Sequence, residues 1–247
     1  MTRREKAAQA VRVITVPPVM VLALLLLLFF QHKGVFTSAG ELLLSVFFLS
    51  VIPLLAYPLS RLFPRCKAKG RDGQRNLAFT LSLIGYAGAV LWGMIAGVSG
   101  ELLFIFLVYL ASVLILTFFN RVIGVRASGH ASGITGPLLL TVYFIGGKTI
   151  IPCVLLLGAI LWSSLTLKRH TLRELLLGAL SAMLAFFLCL IVICFRYSIG
   201  QWLFCHWPVL SYLESCRTAR ESSVLSTGAS VLLCLSVVTV EKRFLIF

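Results

Sequence analysis

His170 and Glu174 stand four residues apart in the segment Lys168-Arg169-His170-Thr171-Leu172-Arg173-Glu174, which opens an apolar run. On a helix that spacing puts both side chains on one face. The carboxylate can then hold the imidazole in one tautomer and raise its basicity. A plainer use of the same residues is a snorkelling basic cap with a Glu in the first turn, which suits the helix dipole. A second histidine lies forty residues earlier, in Arg126-Ala127-Ser128-Gly129-His130-Ala131-Ser132-Gly133. A Ser-Gly turn before a helix start presents backbone N–H groups and the positive dipole end to an anion. Arg126 adds a planar, permanently charged donor for phosphate oxygens, and His130 can exchange a proton near neutral pH. Here the plainer use is a flexible Gly/Ser connection with a histidine at the interface. Taken together, two histidines, one with a carboxylate partner, beside arginines, lysines and helix N-termini suit phosphoryl transfer. One histidine would attack phosphorus and the other would protonate the leaving oxygen.

Zinc is the competing use of His and Glu. The His-x-x-x-Glu pair supplies two ligands and no third His or Cys follows nearby, so neither metal nor other cofactor is expected. A third basic stretch, Arg61–Arg75, includes Arg65, Lys67, Lys69 and Arg71. It reads as a juxtamembrane segment touching anionic head groups. Arg75, directly before an apolar run, is its best-placed member for binding phosphate.

The elements that must position these residues follow from composition. Of 247 residues, 60% are hydrophobic and 12% charged, and mean hydropathy is +1.02. Soluble domains carry roughly a quarter charged residues, so a water-soluble globule and a disordered chain are both excluded. Apolar runs long enough for about 20 helical residues occur at Val11–Phe30, Glu41–Leu62, Leu77–Gly97, Glu101–Phe119, Ser132–Gly147, Thr149–Leu167 and Leu172–Phe195. Ser223–Val240 is a weaker eighth. Lipid tolerates no unsatisfied backbone, so the expectation is an all-α, polytopic transmembrane bundle of seven to eight spans. The first run exceeds the 7–15 residues of a signal-peptide core and reads as an uncleaved helix, with Pro17-Pro18 tolerated near its start. Gly93-x-x-x-Gly97, extended by Ala89, permits close helix contact. The seven cysteines form no CxxC pair, and Cys153, Cys189, Cys194 and Cys234 sit in apolar runs as packing residues.

The formal charge of +14 would suggest nucleic acid in a soluble chain. In a membrane protein its distribution matters instead, and no nucleic-acid partner is expected. Counting loops alternately, one face holds Arg3, Arg4, Lys6, Arg12, Arg61, Arg65, Lys67, Lys69, Arg71, Arg75, Arg121, Arg126, Lys168, Arg169 and Arg173, fifteen in all. The other face holds Lys33 and Lys148 before the seventh span ends. The positive-inside rule puts the richer face in the cytoplasm. Both histidine clusters lie on it. Span interiors carry almost no ionisable groups, which argues against an ion-coupled transporter.

These residues resemble the type 2 phosphatidic acid phosphatase superfamily of lipid phosphatases. Its signature has a Lys/Arg stretch, a Pro-Ser-Gly-His turn, and a Ser-Arg segment ending in His-x-x-x-Asp. Ala127-Ser128-Gly129-His130 is similar to the second part with Ala for Pro, and His170-Thr171-Leu172-Arg173-Glu174 to the third with Glu for Asp. The resemblance covers roughly residues 75–195. It implies a core of about six helices, His170 as the nucleophile that becomes phosphohistidine, Glu174 as its orienting group and His130 as general acid. It further implies a phosphate held by Ser128, Gly129 and Arg126, with Arg75, Lys168 and Arg169 as auxiliary cations. The family's arginine six residues before the nucleophile is replaced by Ser164, and Arg75 is followed by Asn76-Leu77 rather than by the family's Arg-Pro. Family sites usually face away from the cytoplasm, opposite to what the charge count implies.

The organisation expected is a two-span region over residues 1–70, a catalytic helical core over 71–196 and a tail over 197–247. The function expected is a metal-independent phosphatase of the cell membrane acting on a lipid or isoprenoid phosphate or diphosphate. The alternative is a degenerate relative that binds lipid phosphate or serves a structural role.

Overall fold

A computed structural model describes residues 2–62, 68 and 70–206, with the backbone alone for 71 and 196–206. The possible span Ser223–Val240, the interfacial residues Trp207 and Tyr212, and the loop cations Arg65, Lys67 and Lys69 lie outside the described residues. Every regular element among the described residues is helical. These are α1 (Arg3–Ile14), α2 (Pro17–Gln31), α3 (Ala39–Leu62), α4 (Gly70–Ala96), α5 (Gly100–Arg121), α6 (Gly129–Ile145), α7 (Ile150–Thr166) and α8 (Leu172–His206). The chain divides into two compact units, Met1–Cys189 and Leu190–Phe247. The candidate site lies within the first.

All seven apolar runs are helical, and the chain is a multi-pass membrane protein. Five helices are long and apolar enough to cross a membrane, or six if the bent pair α1–α2 is one span. The count differs from the seven expected for two reasons. The run Ser132–Gly147 forms α6, whose 17 residues rise only about 25 Å at 1.5 Å each, whereas α7 reaches 20 residues with the 3-10 turn Gly147–Thr149 that leads into it. The run Val11–Phe30 is not one straight helix either. Thr15 ends α1 by bonding its hydroxyl to the Val11 carbonyl, and Pro17-Pro18 start α2 afresh at an angle of 54°. Proline fits a first helical turn, whose N–H groups have no internal partner. It cannot continue the turn before it.

Close approaches set the helix spacing. On α4 the small face faces two neighbours. A Cβ on Gly85 or Gly88 would strike Phe48 of α3, and one on Gly93 would press on the Phe106 ring of α5. Gly97, with φ +63, lies just beyond α4 instead of extending that face. A Cβ on Gly133 of α6 would stand 2.7 Å from Pro17, so α2 begins hard against α6. In α3, Pro53 donates no hydrogen bond and a π-turn at Phe47–Val51 precedes it; Ser50 from that turn donates to the Pro18 carbonyl at 2.6 Å.

The buried core runs through Leu24, Leu25 and Leu28 of α2, Leu102, Ile105 and Phe106 of α5, and Ile134 and Leu140 of α6. Large apolar side chains such as Ile95, Ile151, Leu155 and Leu176 stay more than half exposed, as a lipid-facing surface requires. Cys153, Cys189 and Cys194 are free thiols.

Candidate active site

A cavity of about 670 Å³ opens among one set of helix ends: the C-termini of α1, α3 and α5 and the N-termini of α2, α4, α6 and α8. His130, His170, Glu174, Arg75, Arg126, Arg169 and Gly129 all line it. The convergence expected of the two histidine clusters is therefore present in the fold.

His170 precedes α8 and Glu174 lies in its first turn, which Thr171 caps by accepting the Glu174 N–H at 3.3 Å. One turn of helix brings His170 Nδ1 to 2.8 Å from Glu174 Oε2, with both side chains about one-fifth exposed. That contact assigns the proton to Nδ1 and turns Nε2, with its lone pair, to the other edge of the ring. Burial lowers the imidazole below its ordinary 6.5; Glu174 raises it, while Arg12 and Arg75 lower it. The ring is therefore neutral at neutral pH, with the Nε2 lone pair available.

His130 stands in the first turn of α6, just before the apolar run, and its Nε2 is buried without a hydrogen-bond partner among the described residues. Burial first, then the charges of Arg12 and His170, push it down to about 3. A buried, unpaired imidazole nitrogen at a cavity wall can bond a group that enters the cavity.

Ser128 has a different duty from the one expected. It is buried, and its hydroxyl accepts the Ala131 N–H at 3.3 Å as the N-cap of α6. Its own N–H donates to the Glu174 carbonyl at 2.9 Å. It does not line the cavity, whereas Gly129 does. A Cβ on Gly129 would come 3.0 Å from the Phe79 ring, so glycine lets that turn sit against α4.

The cations divide likewise. Arg75 is half-buried over the Phe79 ring at 5.5 Å and donates to Asn120 Oδ1. Asn120 in turn clips the loop by accepting the Ala127 N–H (3.2 Å) and donating to the Ala127 carbonyl (3.3 Å). Arg126 is exposed and pairs with Asp72 at 3.4 Å. Arg169 is exposed at the rim. Lys168 is outside the lining and has φ +49, the left-handed residue that ends α7.

Arg12 is the residue whose place in the site was not foreseen. It lines the cavity and donates from Nη1 to Ser164 Oγ at 3.4 Å, across 152 residues of sequence. No three His, Cys, Asp or Glu side chains converge as metal ligands among the described residues. Compared with protein-family models, curated proteins and solved structures, the chain finds no match.

Proposed function

We propose that this chain is a metal-independent phosphatase of the cell membrane, hydrolysing a lipid or isoprenoid phosphate or diphosphate on a core like that of the type 2 phosphatidic acid phosphatases. The observation that carries the reading is the 2.8 Å His170–Glu174 contact in a cavity shared with His130 and four arginines, Arg12, Arg75, Arg126 and Arg169. Four guanidinium groups face only two carboxylates there, Asp72 and Glu174, so the site favours an anion.

In the first step His170 Nε2 bonds to phosphorus as the bond from phosphorus to the ester oxygen breaks. The oxygen leaves with its electron pair and takes a proton from His130. Glu174 balances the positive charge that develops on the His170 ring. Water then attacks phosphorus and yields a proton to His130, and the P–N bond breaks to release inorganic phosphate. His130 must be protonated at the start; the phosphate dianion beside it supplies the opposite charge that offsets its burial.

The test is release of phosphate from short-chain phosphatidate or prenyl phosphate by the detergent-purified protein in EDTA. Turnover that persists in His170→Asn would sink the mechanism. A second reading, a lipid-phosphate binder without turnover, is favoured by Ser164 in place of the family's arginine. Phosphate binding with no hydrolysis of any such substrate would select it.

A further inference from the structure

The helix α1, which carries Arg12 to the cavity, is fastened at four points, three on α7 and one where α6 meets α7. Arg4 lies over the Trp162 ring at 6.0 Å, and Ser163 donates to the Ala8 carbonyl at 2.6 Å. Val11 packs against Ile134, Leu138 and Ile160, and Arg12 bonds Ser164. Ser163 and Ser164 are both buried, so these adjacent hydroxyls face α1 and not water. A capping box between Thr2 and Glu5 fixes the start of α1, and its last turn delivers the guanidinium.

We propose that Arg12, carried by the bent N-terminal helix α1, is a phosphate-binding residue of the site, with Ser164 as its positioning residue. The reading deepens the phosphatase assignment above and rests on it for the substrate. Three observations support it. Arg12 lines the same cavity as both histidines. Its charge acts on both imidazoles and lowers both. Ser164 holds one edge of the guanidinium fork, which reduces the freedom a phosphate would otherwise have to freeze out. The serine at 164 thereby acquires a physical account. Where the resemblance expects an arginine on α7, the chain has a small buried hydroxyl that docks a second helix, and that helix brings the arginine.

The experiment uses the full-length protein with four substitutions, Arg12→Gln, Arg12→Lys, Arg12→Ala and Ser164→Ala. Hydrolysis of short-chain phosphatidate is measured alongside calorimetric titration with inorganic phosphate. Arg12→Gln retains a donor for Ser164 but loses the charge. Its kcat/KM is expected to fall roughly 10- to 100-fold, and its phosphate affinity by a similar factor, as removal of a charged hydrogen bond to an anion implies. Arg12→Lys recovers part of both, and Ser164→Ala loses only a few-fold. Adding millimolar guanidinium to an Arg12→Ala protein restores activity if the lost group is the phosphate ligand, and does nothing if the loss is structural. A folded Arg12→Gln protein with kcat/KM and phosphate affinity within twofold of the parent overturns the proposal. A parent that binds phosphate through Arg12 yet hydrolyses nothing overturns the phosphatase reading and leaves this one standing.

Discussion

The backbone N–H of Ser128 donates to the carbonyl oxygen of Glu174 at 2.9 Å, which joins the turn carrying His130 to the helix carrying the partner of His170. Both candidate histidines are thereby held in one frame: His130 two residues after Ser128, His170 four before Glu174. The contact demands that α6 and α8 nearly touch. Gly178, one turn beyond Glu174, makes that possible, because a Cβ there would lie 2.2 Å from the Ser128 carbonyl oxygen. The atom in the way is backbone, so the helices themselves must separate.

Gly178→Ala is therefore expected to part α6 from α8 and to cost about 1–3 kcal/mol, as overpacking does in tight interiors. Turnover should fall at least tenfold, since a shift of an ångström between catalytic groups is expensive. Gly136 is the control, because a Cβ there meets nothing within 4 Å. Phosphate release and thermal unfolding of the two alanine variants check the difference. Equal effects at 178 and 136 would refute the account.

The acid limb of the kcat/KM profile should respond to charge in opposite directions. His170 is lowered below 6.5, so it stays neutral, as the proposed attack requires, into mildly acidic solution. Glu174 stabilises the charged ring, and Arg75 destabilises it. Glu174→Gln should move the acid limb to lower pH while cutting kcat about 100-fold or more, as loss of an orienting carboxylate does in related dyads. Arg75→Gln should move the limb to higher pH and raise KM. A pH series on the two variants shows whether the signs are opposed.

Stability should fall on acidification, with a window set by His130. Its folded value of about 3 lies below the ordinary 6.5, so the unfolded chain binds the proton first as pH drops. Stability is complete above 6.5 and declines between 6.5 and about 3. His130→Gln removes the titrating group and flattens that part of the curve. Thermal unfolding between pH 7 and 4 in the same detergent checks this. Parallel curves for parent and variant would contradict it.

The His170–Glu174 contact was legible because i,i+4 geometry is local. The approach of His130 was legible because two intervening apolar runs return the chain to the same face. Arg12 was invisible for the opposite reason. It sits at the edge of an apolar run, where a basic residue reads as topology, and its partner is 152 residues away. Two signals did point to it: Pro17-Pro18, which mark where a helix must restart, and the serine at 164 where an arginine was expected. Ser128 caps α6 in the fold; a serine before a helix can cap it or hold an anion, and residue type alone does not separate the two. The span count suffered likewise, since hydropathy does not see the bend at Thr15, and the run at Ser132–Gly147 folds into a helix of only 17 residues.

The two adjacent cations Lys168 and Arg169 were indistinguishable by residue type, and their backbones separate them. Lys168 ends α7 in the left-handed region, where a Cβ is crowded and glycine is favoured. Its N–H bonds the Leu165 carbonyl, and the Arg169 N–H bonds that of Ser164, so the turn aims Arg169 at the cavity and Lys168 away from it. Lys168→Gly is expected to leave kcat/KM within about twofold and to stabilise the protein by roughly 0.5–1 kcal/mol, the relief of a left-handed non-glycine residue. Arg169→Ala should raise KM for a phosphate substrate several-fold with little change in kcat, since an exposed rim cation attracts the anion without bearing on the reacting bond. Steady-state kinetics and unfolding of both variants decide the matter. A large kinetic loss at 168 with none at 169 would reverse the assignment.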